Sequence, residues 1–172
     1  RTHENQGHAM TRPDPAPHLS AVVQAAGDSG QPGPLFTALD SAMGRAIGHR
    51  LFTILVVHPG AAESQRYSSN MPKAYPVGGR KPINRTHWFD RVLGAGECYI
   101  GRTYTDIQDV FFDHELIRSL GYESVLNIPV RWNGRSLGTI NLLHHANYYA
   151  ESDVEVARHF AALAAPGLMQ VI

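Results

Sequence analysis

An Asn-Gly pair between two apolar segments constrains the fold of this chain more than any other feature. The pair, Asn133-Gly134, separates residues 124–132 (SVLNIPVRW) from residues 135–144 (RSLGTINLLH). A two-residue type I′ turn requires positive φ at both central positions, which asparagine and glycine adopt most readily. The sequence therefore predicts a β-hairpin with a two-residue turn at this place.

The short turn also predicts the register of the two strands, because residues are paired by counting outward from it. The expected cross-strand neighbours are Trp132 with Arg135, Val130 with Leu137, Ile128 with Thr139, Leu126 with Asn141 and, on the opposite face, Val125 with Leu142. A slip by one residue would move every side chain of a strand to the other face of the sheet. The register therefore decides which side chains meet.

Apolar periodicity predicts the remaining elements. Helical spacing occurs in residues 18–27, 35–47, 105–120 (as two pieces) and 152–170, with a helical turn at residues 88–93. Strands are expected at residues 51–57 (LFTILVV), which should be central and buried on both faces, at residues 63–68 and at residues 97–101, with a long ordered loop at residues 71–84. This order indicates an α+β fold with helices on one face of an antiparallel sheet.

The chain is expected to form one main domain. Residues 1–9 carry no periodicity and are interpreted as the remnant of an engineered tag. Residues 10–33 are interpreted as an N-terminal arm and helix, and residues 34–172 as the domain itself. A length of 172 residues with 43% apolar and 17% charged residues is typical of one globular core.

Charge and cysteine content exclude several classes of partner. Lys plus Arg and Asp plus Glu number 15 each, so the chain has no net basic field to attract nucleic acid. No apolar run approaches the roughly 20 residues that a membrane-spanning helix needs. The single cysteine, Cys98, is typical of a reducing compartment. We therefore expect a soluble, cytoplasmic protein that binds neither nucleic acid nor a membrane.

Two adjacent segments resemble the last two core strands of a GAF domain. They are residues 120–130 (LGYESVLNIPV) and, after the Asn-Gly turn, residues 137–143 (LGTINLL), which are similar to that family's "slG…SvlnvPv…g…lGtlnl" pattern. With the strand at 51–57 and the terminal helix, the resemblance covers about residues 34–170. It implies a GAF/PAS-like antiparallel sheet of about five or six strands, with helices packed on one face and a loop-lidded pocket on the other.

The resemblance implies a ligand pocket between the sheet and residues 67–112, but it leaves the subfamily open. Tetrapyrrole attachment in phytochrome-type members requires a cysteine in a motif that Cys98 does not occupy. Free methionine sulfoxide reductases of this fold need two cysteines, and Arg118 stands about where the catalytic thiol is expected. The Asn-Lys-Phe and Asp sequence of cyclic-nucleotide members is also missing. We therefore expect no cofactor and assign no catalytic residue.

Cations, phenols and hydroxyls are concentrated in the middle segment. Residues 66–70 (RYSSN) and 75–81 (YPVGGRK) could hold a carboxylate or phosphate beside a Gly-Gly turn, while a tyrosine stacks on a flat ligand. The alternative is a tethered surface loop. Of the five aromatic residues at positions 88, 89, 99, 111 and 112, Trp88 and Tyr99 are assigned to the pocket and the three phenylalanines to the core.

Three polar residues, Asn127, Thr139 and Asn141, lie within strands that should be buried, so their side chains need partners. Those partners are backbone groups or buried water in one interpretation, and a ligand in the other. The complete candidate ligand-binding set is Arg66, Tyr67, Ser68, Tyr75, Lys81, Trp88, Tyr99, Asn127, Thr139 and Asn141. With Arg80 as a further nearby cation, this set predicts an anionic, planar ligand.

No metal site is expected, because His144 and His145 point to opposite faces of a strand and no HxH or HExxH spacing occurs. Cys98 is interpreted as a small buried apolar residue, and residues 113–115 (DHE) as a solvated helix start.

Three functions remain open. The first is a ligand-binding sensory domain that signals through a homodimer or a partner, since its helices offer more apolar surface than one sheet face can cover. The second is a small metabolite-converting enzyme that uses Lys81, Tyr67 or Cys98 in the same pocket. The third is a structural dimerisation module.

Overall fold

The computed structural model describes residues 10–172, so the tag hypothesis for residues 1–9 lies outside the described residues. The elements are α1 (Ala16–Ala26), α2 (Gly33–Ala46), β1 (Leu51–His58), β2 (Glu63–Ser69), β3 (Arg80–Pro82), α3 (His87–Phe89) continued by a π-helical turn (Asp90–Gly94), β4 (Tyr99–Gly101), α4 (Tyr104–Val110), α5 (His114–Ser119), β5 (Ser124–Trp132), β6 (Arg135–His144) and α6 (Glu151–Val171). No helix among these is long and apolar enough to cross a membrane.

The six strands form one antiparallel sheet in the order β3-β2-β1-β6-β5-β4. This confirms the predicted α+β class, and β1 is central, as its apolar sequence predicted. One expectation is wrong, because residues 71–84 are not a loop throughout. Their last part forms β3, which pairs with β2 at the edge of the sheet.

The main core lies between one face of the sheet and α1, α2 and α6. In β1, Phe52, Ile54 and Val56 are fully buried against these helices. Alternate residues of the same strand, Thr53 and Leu55, face the other side of the sheet. Both faces of β1 are therefore covered, but by different layers, and the second layer is the one that forms the cavities described below.

The β5–β6 hairpin is confirmed, but its predicted register is wrong beyond the turn. Asn133 and Gly134 have φ of 48° and 75°, as a type I′ turn requires. Trp132 pairs with Arg135 as expected, but the register shifts at Val130, so each β6 partner lies one position further along than predicted. The observed pairs are Val130 with Gly138, Ile128 with Ile140, Leu126 with Leu142 and Val125 with Leu143.

The cause of the shift is one extra residue in β6. Arg131 pairs with Ser136 and Val130 with Gly138, so Leu137 has no partner of its own and forms a β-bulge. Leu137 turns into the helix-side core, where it is 1% exposed. The hydrophobic burial of one leucine thereby displaces the rest of the strand by one residue.

The residue after the bulge allows close packing. A Cβ atom on Gly138 would overlap the carbonyl oxygen of Leu55 and would lie 2.8 Å from Cδ2 of Leu168. The β1 backbone and α6 therefore both approach this point of β6 more closely than a residue with a side chain would permit.

We expect Gly138→Ala to lower the free energy of unfolding by more than about 2 kcal/mol, because the β1 backbone must move to admit a methyl group. Urea denaturation of the variant and the wild type measures this difference. Gly79→Ala is the matched control, since a Cβ atom there would meet nothing within 4 Å. Equal unfolding midpoints for the two variants would contradict the close approach.

Candidate functional site

The face of the sheet away from the three long helices carries two connected chambers under the segment between β2 and α5. The inner chamber has a volume of about 170 Å³, with Thr53, Asn127 and Asn141 on its floor. The outer chamber has a volume of about 570 Å³ and continues along β1 towards Val57. Both are lined by the same five residues where they join: Leu55, Ser64, Lys81, Trp88 and Phe112.

A chain of side-chain hydrogen bonds crosses the floor of the inner chamber. Trp88 Nε1 donates to Asn127 Oδ1 at 3.0 Å, and Asn127 Nδ2 donates to Asn141 Oδ1 at 2.7 Å. Asn141 Nδ2 then donates to Thr53 Oγ1 at 3.2 Å. An indole nitrogen can only donate, so the side-chain oxygen of Asn127 must face Trp88. The Asn127 side-chain nitrogen then faces Asn141, and the side-chain oxygen of Asn141 must accept from it.

The register shift makes this chain possible. Asn127 pairs directly with Asn141, and Asn141 with Thr53, so the three side chains lie in one row across β5, β6 and β1. In the register predicted from the turn, Asn141 would have faced Leu126, and the two asparagines would have pointed to opposite faces.

The chain leaves capacity for a ligand. Asn127 and Asn141 are only 1% and 6% exposed. Each amide nitrogen uses one of its two N–H groups in the chain, and the hydroxyl proton of Thr53 has no acceptor in the described part of the protein. The floor therefore presents neutral donors and acceptors in fixed orientations.

Arg66 supplies a cation to the inner chamber. Its guanidinium lies 4.8 Å from the centre of the Tyr75 ring, and Nη1 donates to the carbonyl oxygen of Pro76 at 3.0 Å. Nε is buried and has no hydrogen-bond partner within residues 10–172. Burial lowers the pKa of Arg66, although Tyr75 and Asp113 partly oppose this. The charge is thus held at an energetic cost that an anion would offset.

Tyr75 and Asp113 form a second polar contact in the inner chamber. Tyr75 Oη donates to Asp113 Oδ2 at 3.0 Å. Burial, and then the carboxylate of Asp113, raise the pKa of Tyr75, so its phenol stays neutral at physiological pH. The interpretation of Asp113 as part of a solvated helix start is incomplete, because this side chain lines the inner chamber.

Six of the ten predicted site residues line the inner chamber: Arg66, Tyr75, Lys81, Trp88, Asn127 and Asn141. Thr139 lines the outer chamber, where its buried Oγ1 has no partner in the described residues. Tyr99 lines a separate cavity that shares Trp88, and its hydroxyl donates to the carbonyl oxygen of Asp106 at 3.2 Å.

The remaining two predicted residues, Tyr67 and Ser68, lie on the opposite face of the sheet. The β1–β2 register shifts so that Arg66 pairs with Leu55 and Ser68 with Ile54, which leaves Tyr67 as an extra residue. Tyr67 meets Phe36 of α2 edge-to-face, with ring centres 6.2 Å apart. The assignment of Tyr67 and Ser68 to the pocket is therefore wrong, because both lie on the helix side of the sheet. Arg80 lines neither chamber, and its Nη1 lies 3.6 Å from a carboxylate oxygen of Glu63.

Some lining residues were missed by the sequence analysis. Phe111 and Phe112 were assigned to the core, but both line the inner chamber, and Phe112 is 84% exposed. Thr53 was missed despite a usable signal, since it is a polar residue in the middle of an apolar strand. Asp113 precedes a short helix and does not lie on a strand, so the alternation of buried and exposed residues along strands could not indicate it.

Cys98 lies in the helix-side core, and burial raises the pKa of its thiol. Within residues 10–172 no three His, Cys, Asp or Glu side chains are grouped as a metal site would require.

Comparison with known proteins gives one family and several similar structures. The family model described as GAF domain matches residues 51–168. The GAF domain of a phosphoenolpyruvate-protein phosphotransferase from Acinetobacter is 13% identical, over 91% of this chain and 94% of that chain, with a TM-score of 0.69. The corresponding GAF domain from Coxiella burnetii is 16% identical over 91% and 96%, with a TM-score of 0.65.

Free methionine-R-sulfoxide reductase from Neisseria meningitidis, in complex with its substrate, is 18% identical over 96% of this chain and 100% of that chain, with a TM-score of 0.61. At these identities the solved structures show a shared fold. No curated protein sequence matches the chain.

The hydrogen-bond chain predicts a non-additive pair of substitutions. We expect Asn141→Leu to lower the free energy of unfolding by about 1–3 kcal/mol, because it leaves the buried amide of Asn127 without an acceptor. The double variant Asn127→Leu/Asn141→Leu should lose less than the sum of the losses in the two single variants, because the Asn127–Asn141 hydrogen bond is lost only once, even though Trp88 Nε1 then has no acceptor. Urea denaturation of the single and double variants tests this, and strictly additive losses would contradict it.

Proposed function

The chain belongs to the GAF domain family, as the sequence motifs indicated, and on that premise we propose that it is a sensory or regulatory domain that binds an anionic, planar metabolite in the inner chamber. The observation that carries this proposal is the cation at the chamber wall. Arg66 is partly buried, its Nε has no partner in the described residues, and the residue lines the chamber.

An anionic group would complete the contacts of Arg66. A guanidinium has five N–H donors, and its fork matches the two oxygens of a carboxylate. Lys81, which lines both chambers, adds a second positive charge where the two chambers join. Asp113 opposes an anion, but its Oδ2 already accepts the hydroxyl proton of Tyr75. The lining of the inner chamber therefore carries two cations and one carboxylate.

The chamber also favours a flat ligand with polar edges. Tyr75, Trp88 and Phe111 present aromatic surface, and the rings of Trp88 and Phe111 meet edge-to-face at 6.1 Å. Asn127 and Asn141 offer neutral donors and acceptors from the floor. An aromatic or heterocyclic carboxylate matches this combination of charge, ring surface and amide groups.

Of the three groups offered for the alternative function, metabolite conversion by Lys81, Tyr67 or Cys98, only Lys81 is positioned for it. Lys81 lies at the chambers, Tyr67 contacts α2 on the other side of the sheet, and Cys98 is buried in the helix-side core. The three groups cannot act together in one cavity.

A single cysteine in the chain is consistent with a reducing, cytoplasmic location.

We further propose that the domain signals as a homodimer that pairs through its helical layer. The apolar side chains of Val23 on α1 and Met169 on α6 are 56% and 39% exposed, on the layer opposite to the ligand chambers. A second copy that covers these side chains would connect the two sheets through the helices, so that a change at β1 can reach the partner.

The anionic-ligand proposal predicts a graded response to substitution. The probes are carboxylated aromatic and heterocyclic compounds with their neutral amides as controls, screened by thermal shift and then titrated by calorimetry. Arg66→Ala should weaken binding of a carboxylate by about tenfold or more, because a charged hydrogen bond is worth about 1.5–3 kcal/mol, and Asn127→Ala should weaken it less. Arg80→Ala is the matched control and should leave affinity unchanged. Equal losses in Arg66→Ala and Arg80→Ala, or tighter binding of the amides, would refute the proposal.

The dimer proposal predicts twice the chain mass in light scattering at high micromolar concentration. Val23→Asp should shift the protein towards monomer, because it places a charge in the shared apolar surface. Val77→Asp, at a valine that is 52% exposed in the segment covering the chambers, is the control and should remain dimeric. A monomeric wild-type protein at that concentration would rule the dimer out.

A further inference from the structure

A third cavity lies at the end of the sheet that carries the β1–β2 and β5–β6 turns. It has a volume of about 420 Å³, and its charged lining consists of three arginines, Arg85, Arg131 and Arg135, with no carboxylate. We call it the arginine cleft. It shares Val57, Ile83, Phe89 and Leu93 with the outer chamber, and these residues form its apolar floor.

Arg131 is held in place by its own hairpin. Nη1 donates to Ser136 Oγ at 3.0 Å, and Nη2 donates to the carbonyl oxygen of Gly134 at 3.1 Å. Its side chain lies over Gly96, where a Cβ atom would come within 2.7 Å of Nε. In the described part of the chain the guanidinium is therefore oriented without a carboxylate, and its remaining N–H groups form no hydrogen bond.

The other two arginines lie on the rim of the cleft. Arg85 lies 5.7 Å from the centre of the Phe89 ring, and Arg135 directly follows the hairpin turn. None of the three arginines forms an ion pair within residues 10–172, whereas Arg12, Arg80, Arg91 and Arg102 each do. Three uncompensated charges thus surround one concave, apolar-floored space.

We propose that the arginine cleft binds the phosphate group of a phosphorylated small molecule, whose apolar or aromatic body lies on Ile83, Phe89 and Leu93. One guanidinium fork already satisfies both oxygens of a carboxylate, whereas a phosphate dianion offers more charge and more acceptor oxygens for three guanidinium groups. The inner chamber differs, because it includes Asp113 beside its cations. The proposal is independent of the ligand assigned to the inner chamber.

The test uses three probes on the whole chain at low salt, titrated by calorimetry: phenyl phosphate, inorganic phosphate and benzoate. Phenyl phosphate should bind saturably and most tightly, because it supplies both the dianion and the apolar body. Inorganic phosphate should bind more weakly, and benzoate, titrated into the Arg66→Ala variant so that the inner chamber does not contribute, should bind about tenfold more weakly than phenyl phosphate. Benzoate that binds at the cleft as tightly as phenyl phosphate would overturn the assignment to phosphate.

Variants locate the site. Arg135→Ala and Arg85→Ala replace exposed side chains and should fold normally, as melting temperature checks, while each lowers the affinity for phenyl phosphate at least about fivefold. Arg131→Lys should also lower the affinity for phenyl phosphate, because lysine lacks the planar fork of donors even though it keeps the positive charge. Arg45→Ala, at an exposed arginine on α2, and Arg66→Ala, in the inner chamber, are the controls and should bind phenyl phosphate as the wild type does.

Three further results would overturn the proposal. They are an absence of saturable phenyl phosphate binding, an equal loss in Arg45→Ala, which would indicate non-specific charge attraction, and a loss confined to Arg66→Ala, which would place the phosphate in the inner chamber. A failure of the aromatic carboxylates to bind the inner chamber would leave the phosphate titration unchanged, so the two proposals fail separately.

Discussion

The bulge at Leu137 is the constraint on which the pocket face of this protein depends. Because one extra leucine is buried against the helices, the pairing of β6 with β5 shifts by one residue. The shift places Asn141 directly opposite Asn127, on the same face of the sheet. That shift creates the row of amide and hydroxyl groups on the floor of the inner chamber. Between the bulge and the turn the register is unshifted, so Ser136 stays opposite Arg131 and orients it in the arginine cleft.

The two proposed sites differ in how their cations are held. Arg66 lies against the ring of Tyr75 in a partly buried position, and the neighbouring carboxylate of Asp113 is occupied by the Tyr75 hydroxyl. Arg131 is instead fixed by a hydroxyl and a carbonyl of its hairpin, and none of the described residues that line the arginine cleft is a carboxylate. The first arrangement suits a ligand with one negative group and polar edges, and the second suits a more highly charged group.

Local signals in the sequence predicted most of the elements but not the details of the site. The type I′ turn, the central strand β1 and the stripes of α2 and α6 follow from residues close together in the chain. The bulge does not, because it depends on Gly138 admitting the backbone of Leu55 and the side chain of Leu168, which are distant in sequence. The same kind of irregularity, an extra residue in β2, moved Tyr67 away from the pocket. Thr53 could have been predicted in the same way as Asn127, because both are polar residues within strands that should be buried.

The most direct measurement of the central claim is the nitrogen resonance of Arg66 Nε, observed by NMR while an aromatic carboxylate is added. We expect a saturating shift of this one signal, because a buried N–H group that has no partner among residues 10–172 acquires an anionic acceptor. The Nε signal of Arg80, which lies beside Glu63 outside the chambers, should stay in place. A shift at Arg80 equal to that at Arg66, or no shift at Arg66 at saturating ligand, would contradict the assignment of the inner chamber.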